Sequence, residues 1–318
     1  MKSRLLITIL GLAIGCAANA QEITTGMKDA YKDYFTIGVA VNKRNVEDPS
    51  QIALIKREFN SITAENDMKP ISVHPKEGVW HWEGADSIAN FCRQNGIKLR
   101  GHCLCWHSQF CDWMLYDKDG NFVDKEVFYQ RLREHIITVV NRYKDVVYCW
   151  DVVNEAVEFD GSLRRSEFRE IIGEDYIRLA FQFAHEADPD AELYYNDYGM
   201  DNAAKRGAVV NMIRDLKSHG LRIDAVGMQS HLALGSDLTE YEKSVEAFAG
   251  EGVKVMATEL DVSVLPFPNG TMTAEVSTNF DYQEYLNPFK NGISKEKLDE
   301  QGRFMRRLFD LYKRHSDV

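Results

Sequence analysis

Short, nearly continuous apolar runs alternate along the chain with longer segments whose apolar positions recur at helical spacing. The runs over 35–41, 61–64, 97–104, 146–153, 192–195, 225–229 and 253–259 predict strands. They lack the in–out alternation of a sheet with one wet face, so they fit parallel strands covered on both sides. The segments 51–59, 85–95, 125–143, 175–187, 203–219, 239–249 and 295–314 predict helices. In the third of these, Ile136, Val139, Val140 and Tyr143 share one face. Gly96 and Gly220 suit helix ends, and Asp188-Pro189 stops the fourth helix.

Alternation on this scale implies right-handed βαβ units and an α/β fold. A doubly wound sheet would alternate too, but no Gly-x-Gly-x-x-Gly follows the first strand. Polar residues follow nearly every strand instead of gathering at one switch point, which favours a (β/α)8 TIM barrel. Seven βα units are recognisable.

After the second strand come Glu65, Asn66 and Lys69; after the third, His102, Trp106, His107 and Gln109. The fourth ends in Asn154 and Glu155, the fifth in Asn196, Asp197 and Tyr198. Gln229 and His231 follow the sixth, and Glu259 and Asp261 the seventh. One polar residue at a strand end is an ordinary cap or turn. Six consecutive strand ends doing this describe a rim, and in barrels that rim carries the chemistry.

The chain has 318 residues, 44% hydrophobic and 27% charged, enough apolar material for one large core. A net charge of −11 argues against nucleic acid or an anionic membrane as partner. Residues 1–20 read as a secretory signal peptide: Lys2 and Arg4, an apolar stretch, then Ala18-Asn19-Ala20 before Gln21. Residues 21–318 form the domain, and a secreted or periplasmic location is expected. Cys16 leaves a lipoprotein anchor as the alternative. Beyond the leader, Cys92, Cys103, Cys105, Cys111 and Cys149 are odd in number, so at least one is unpaired. They read as small buried apolar groups.

The run His102-Cys103-Leu104-Cys105-Trp106-His107 resembles a zinc site on paper. On an extended chain, however, His102, Leu104 and Trp106 face one way and Cys103, Cys105 and His107 the other. No metal is expected there, and no cofactor is implied elsewhere. The rim lacks a phosphate-cradling glycine loop and a Ser or Cys nucleophile motif. Carboxylates, amides and aromatic faces suit a neutral, hydroxyl-rich ligand, namely sugar. Two carboxylates flanking it are the minimum for glycoside hydrolysis, one kept protonated by a raised pKa and one ionised.

Trp150-Asp151-Val152-Val153-Asn154-Glu155-Ala156 and Thr258-Glu259-Leu260-Asp261-Val262 resemble glycoside hydrolase family 10, the endo-β-1,4-xylanases. Thr63 to Lys69, Gly101 to Gln109, Tyr195 to Tyr198 and Gly227 to His231 are similar to that family as well. The resemblance implies a retaining double displacement, with Glu155 as acid/base and Glu259 as nucleophile, about 5–5.5 Å apart. It implies that Asn154 binds the sugar 2-hydroxyl in subsite −1, and that His102 and Trp106 line that subsite. Gln229 and His231 are expected to hold Glu259, with Asp261 orienting His231. Glu65, Asn66 and Lys69 are expected to bind the next sugar, although Lys69 could instead pair with Glu65. Tyr198 is expected on the leaving-group side. Xylan and xylo-oligosaccharides are the implied partners, with no obligatory protein partner evident. An endo-β-1,4-glucanase of the same mechanism and a non-catalytic xylan-binding remnant are the alternatives.

The sequence departs from the family pattern after residue 262. No eighth strand with its Trp-bearing run is recognisable before Val318. The expectation is a C-terminally incomplete barrel, with open edges on its first and seventh strands and, in isolation, poor activity and aggregation. The long connection from Ser263 to Ser294, with Pro266, Pro268 and Pro288, is expected at the cleft.

Overall fold

The computed structural model describes residues 25–265 and 288–318. The leader, Cys16 and most of the 263–294 connection lie outside them. The main sheet is wholly parallel and built from β1 (Gly38–Val41), β2 (Ser61–Ala64), β3 (Lys98–Gly101), β5 (Val147–Asn154), β6 (Glu192–Asp197), β7 (Ala225–Met228) and β9 (Lys254–Ala257). These neighbour one another in that order, and the two-residue β4 (Cys105–Trp106) pairs with β5. Each crossover carries a helix: α1 (Pro49–Glu58), α2 (Glu83–Asn95), α3 (Lys125–Tyr143), α4 (Asp175–Ala187), α5 (Ala203–Ser218) and α6 (Leu238–Gly250). Helix α7 (Lys295–Arg314) follows β9. This is the α/β TIM-barrel class, seen as a curled parallel sheet under a layer of helices.

Local chemistry explains the helix ends. Asp48 accepts backbone N–H groups from Ser50 and Gln51 at the start of α1, where Pro49 already has a helical φ. Gly96 closes α2 at φ 62, a conformation that favours glycine. Asn202 caps α5 through Lys205 N, and Ser294 caps α7 through Lys297 N.

The core lies between sheet and helices. Strands β5 to β7 are buried almost throughout, whereas β1 and β9 are the ends of the sheet. Among the described residues these two do not pair, and no residue of β9 is fully buried. Helix α7 still seats Phe304, Leu308 and Leu311 in the core. Cys92, Cys103, Cys105, Cys111 and Cys149 are all buried thiols.

The structure differs from the sequence pattern in two places that matter to the site. The strand expected over 97–104 stops at Gly101, and pairing resumes only at Cys105. Two further strands, β8 (His231–Ala233) and β10 (Asp261–Ser263), form a separate parallel pair beyond the ends of β7 and β9. Three-residue strands give too short an apolar signature to be recognised in advance.

Candidate active site

Glu155 directly follows β5 and Glu259 lies two residues beyond β9. Asn196, at the end of β6 between them, is fully buried and touches both sides. Its Nδ2 donates to Glu259 Oε1 and to Asn154 Oδ1, each at 2.9 Å. Its Oδ1 accepts from Thr258 Oγ1 at 2.7 Å. With Asn196 fixed at both ends, the Asn154 amide must present its oxygen to it, leaving Nδ2 3.4 Å from Glu155 Oε1. The reverse orientation would let the Asn154 nitrogen donate to Asn196 O at 3.1 Å and give Trp106 Nε1 an acceptor at 3.3 Å, but would set two NH2 groups 2.9 Å apart. This crossing is possible because Gly227 stands beside Asn196 in the register. A Cβ there would fall 2.3 Å from Asn196 Oδ1 and 2.8 Å from Thr258 Cγ2.

Glu155 occupies the left-handed region at φ 57, which costs a non-glycine residue about 1–3 kcal/mol. Three contacts hold it there. Its N–H donates to Asn196 O at 2.9 Å, and its carbonyl accepts from Arg164 Nε at 2.8 Å. Gln229 Nε2 donates to its Oε1 at 2.9 Å. Arg164 also donates to Tyr198 Oη at 3.0 Å and pairs with Glu158 at 3.0 Å. Behind them, buried Asp197 accepts from Tyr198 N at 2.9 Å and from Tyr195 Oη, and pairs with fully buried Lys205 at 2.7 Å. Burial pushes the Asp197 carboxyl up to about 6, against the pull of Lys205.

Glu259 sits in a setting opposite to that of Asp197. Burial would raise its pKa, but the hydrogen bond from His231 and the charge interactions with His102 and Arg100 take it down to about 2. His231 Nε2 lies 3.4 Å from Glu259 Oε2, and its Nδ1 lies 2.6 Å from Asp261 Oδ2. The β8–β10 register sets His231 directly opposite Asp261. Burial lowers the His231 pKa, but its bonds to Asp261 and Glu259 outweigh this and raise it to about 10. Both side chains still reach solvent, Glu259 at 31% and His231 at 41% exposure. His102 contacts buried Asp151 at 2.7 Å, and Arg100 donates to the same carboxylate oxygen.

On the β2–β3 side, Lys69 is buried and donates to Asn66 Oδ1 and Gln109 Oε1, each at 2.8 Å. Its ammonium lies 4.9 Å from the Trp106 ring centroid. On the Arg164 side, a cavity of about 780 Å³ is lined by His107, Glu158, Arg164 and Arg165 among others.

Residues 26–299 match the profile of glycosyl hydrolase family 10. The chain belongs to that family. It is 48% identical over 308 residues to an endo-1,4-beta-xylanase/feruloyl esterase of Xylanibacter ruminicola, covering 92% of this chain and 41% of that protein. It is 46% identical to endo-1,4-beta-xylanase A of Xylanibacter ruminicola, covering 95% of this chain and 82% of the relative. A solved psychrophilic family 10 endo-beta-1,4-xylanase superposes with a TM-score of 0.82 at 45% identity, covering 92% of this chain and 87% of that one.

The family 10 fold thus gathers Glu155, Glu259, Asn154, Gln229, His231 and Asp261 into one network, with Lys69, Asn66, Trp106 and His102 beside it. Glu65 is exposed. Three expectations need correction. The Gln229 side chain reaches Glu155 and not the Glu259 carboxylate, because it points from the end of β7 towards β5 across Asn196, while its backbone oxygen accepts from Glu259 N at 3.0 Å. Lys69 bonds two amides and not Glu65, since the Gln109 and Asn66 side-chain oxygens lie within its reach, each at 2.8 Å. The alternation over 102–107 does not carry through as one strand, because the strand breaks between Gly101 and Cys105, and His107 lines the cavity on the Arg164 side. The roles of Asn196, Arg164, Arg100, Asp151 and the Asp197–Lys205 pair had gone unrecognised. A charge inside an apolar strand, such as Arg100 or Asp151, was the available signal, because buried charges need partners.

Proposed function

We propose that the chain is a retaining endo-β-1,4-xylanase acting on internal bonds of xylan. One observation carries this reading: Asn196 ties Asn154, beside Glu155, to a Glu259 carboxylate held ionised. Two carboxylates in one network, one of them strongly acidic, are what a double displacement requires. Glu259 attacks the anomeric carbon while Glu155 protonates the leaving oxygen, giving a covalent glycosyl-enzyme. Glu155 then takes a proton from water, which releases the sugar with its configuration retained. Asn154 Nδ2, one of whose hydrogens is directed at Glu155 Oε1 at 3.4 Å, uses the other to bind the 2-hydroxyl of the sugar at subsite −1. His231, aligned by Asp261, keeps Glu259 ionised until attack. His102 and Trp106 wall that subsite, and Lys69, Asn66 and Glu65 hold the next sugar. Tyr198 lies on the leaving-group side. A polymer substrate of this size suits an enzyme exported by the leader at 1–20.

A mutant xylanase of Thermoanaerobacterium saccharolyticum, solved with xylotriose, superposes with a TM-score of 0.81 at 34% identity and supports this substrate class. The decisive experiment is Glu259→Ala with azide, assayed on 4-nitrophenyl β-xylobioside. Turnover should fall to background and return on adding azide, with α-xylobiosyl azide and 4-nitrophenolate as products. No recovery, with the variant folded, would remove Glu259 as nucleophile.

A further inference from the structure

Phe159 is the most exposed large apolar side chain among the described residues, at 53%. It lies four residues past Glu155, in a turn closed by Glu158 N–H to Ser162 O at 2.8 Å. Its ring meets that of Tyr198 edge to face, with centroids 5.5 Å apart and planes at 70°. The Lys205 ammonium backs both rings, 3.9 Å from the Tyr198 centroid and 5.2 Å from that of Phe159. Beneath the ring is Gly199 at φ +58, where a Cβ would come within 2.5 Å of Phe159 Cε1. The ring therefore rests on bare backbone in a fixed place.

Its position relative to Glu155 follows from the contacts. Lys69, Asn66, Gln109 and Trp106 occupy the β2–β3 side of Glu155. Phe159 and Tyr198 lie on the β6 side, joined to the Glu155 carbonyl through Arg164. If the first group holds the sugars behind the cleaved bond, the second faces the departing chain. Xylopyranose has no exocyclic hydroxymethyl group, so both its faces present C–H bonds, which suit the electron-rich face of an aromatic ring.

We propose that Phe159, with Tyr198, is a stacking platform for sugars beyond the leaving oxygen, and that Phe159 sets the preference for long xylan chains. This rests on the xylanase reading and names a substrate-length determinant for the same site. The ring is already half in water, so its truncation spares the fold.

The test compares Phe159→Ala and Phe159→Trp on xylohexaose and on 4-nitrophenyl β-xylobioside, whose leaving group carries no sugar. Phe159→Ala should raise KM for xylohexaose about tenfold, as expected for one lost apolar contact face. Its loss in kcat/KM should be at least about fivefold larger on xylohexaose than on the aryl substrate, and Phe159→Trp should restore it. Equal losses on both substrates, or none, overturn the proposal. Titrating xylohexaose into Glu259→Ala with and without Phe159→Ala reads the platform without turnover. An unchanged Kd sinks the platform even if the protein is an active xylanase. An about tenfold rise in Kd with an inactive parent protein sinks the xylanase reading and keeps the platform.

Discussion

Nδ2 of Asn196 lies 2.9 Å from Oε1 of Glu259, and with its bond to Asn154 it joins the Glu259 side of the cleft to the Glu155 side. Asn196 is wholly buried, so removing its amide leaves buried partners without their bond. A hydrogen bond to a charged group contributes about 1.5–3 kcal/mol. Asn196→Ala should therefore lower kcat/KM on xylohexaose by about tenfold to a hundredfold. It should also lower stability by about 1–3 kcal/mol, because Thr258 and Asn154 lose a partner. Steady-state kinetics and urea denaturation at one pH measure both. Unchanged kcat/KM in a destabilised variant would make Asn196 purely structural.

The Glu259–His231 pair has a pH signature. The Glu259 pKa falls from 4.5 to about 2 on folding, so its contribution to stability is present above 4.5 and is lost as pH falls towards 2. The His231 pKa rises from 6.5 to about 10, so its contribution is present below 6.5 and is lost as pH rises through 10. Both operate fully only between 4.5 and 6.5. Solvent at both side chains screens the gain. His231→Gln should lower stability within that window, flatten its decline between 6.5 and 10, and move the acid limb of kcat/KM to higher pH. An acid limb that stays in place would show that Glu259 does not set it.

Arg164 is placed to position Glu155 without touching the reacting bond. Its planar fork reaches the Glu155 carbonyl and the Tyr198 hydroxyl at once, which an ammonium cannot copy. Arg164→Lys should lower kcat about tenfold or more on both long and aryl substrates, with KM changed less. A pure KM effect, or wild-type kcat, would remove the positioning role.

Lys205 and Asp197 form a fully buried ion pair behind that loop. Removing one partner of such a pair costs about 3–5 kcal/mol, because the other charge is stranded. Asp197 already titrates near 6, so protonation relieves it in acid and not in alkali. Lys205→Met should lower Tm, more at pH 8 than at pH 5, and adding Asp197→Asn should recover part of the loss. Thermal melts at the two pH values decide it; an equal drop at both would mean that Asp197 is not stranded as a charge.

The sequence alone determined the repeat of strands and helices, because buried parallel strands leave unbroken apolar runs and amphipathic helices leave a 3.6-residue period. It also determined that Glu155 and Glu259 stand at strand ends, since those positions follow directly from the runs. Tertiary structure decided which side chains meet. Gln229 turned to Glu155, Lys69 to two amides, and Asn196 to both halves of the site, because lateral strand order and register bring together residues tens of positions apart. The left-handed backbone at Glu155, the short β8–β10 pair and the exposed ring of Phe159 likewise depend on neighbours distant in sequence. Periodicity reports which face of an element is buried; it carries no information about what lies across the gap.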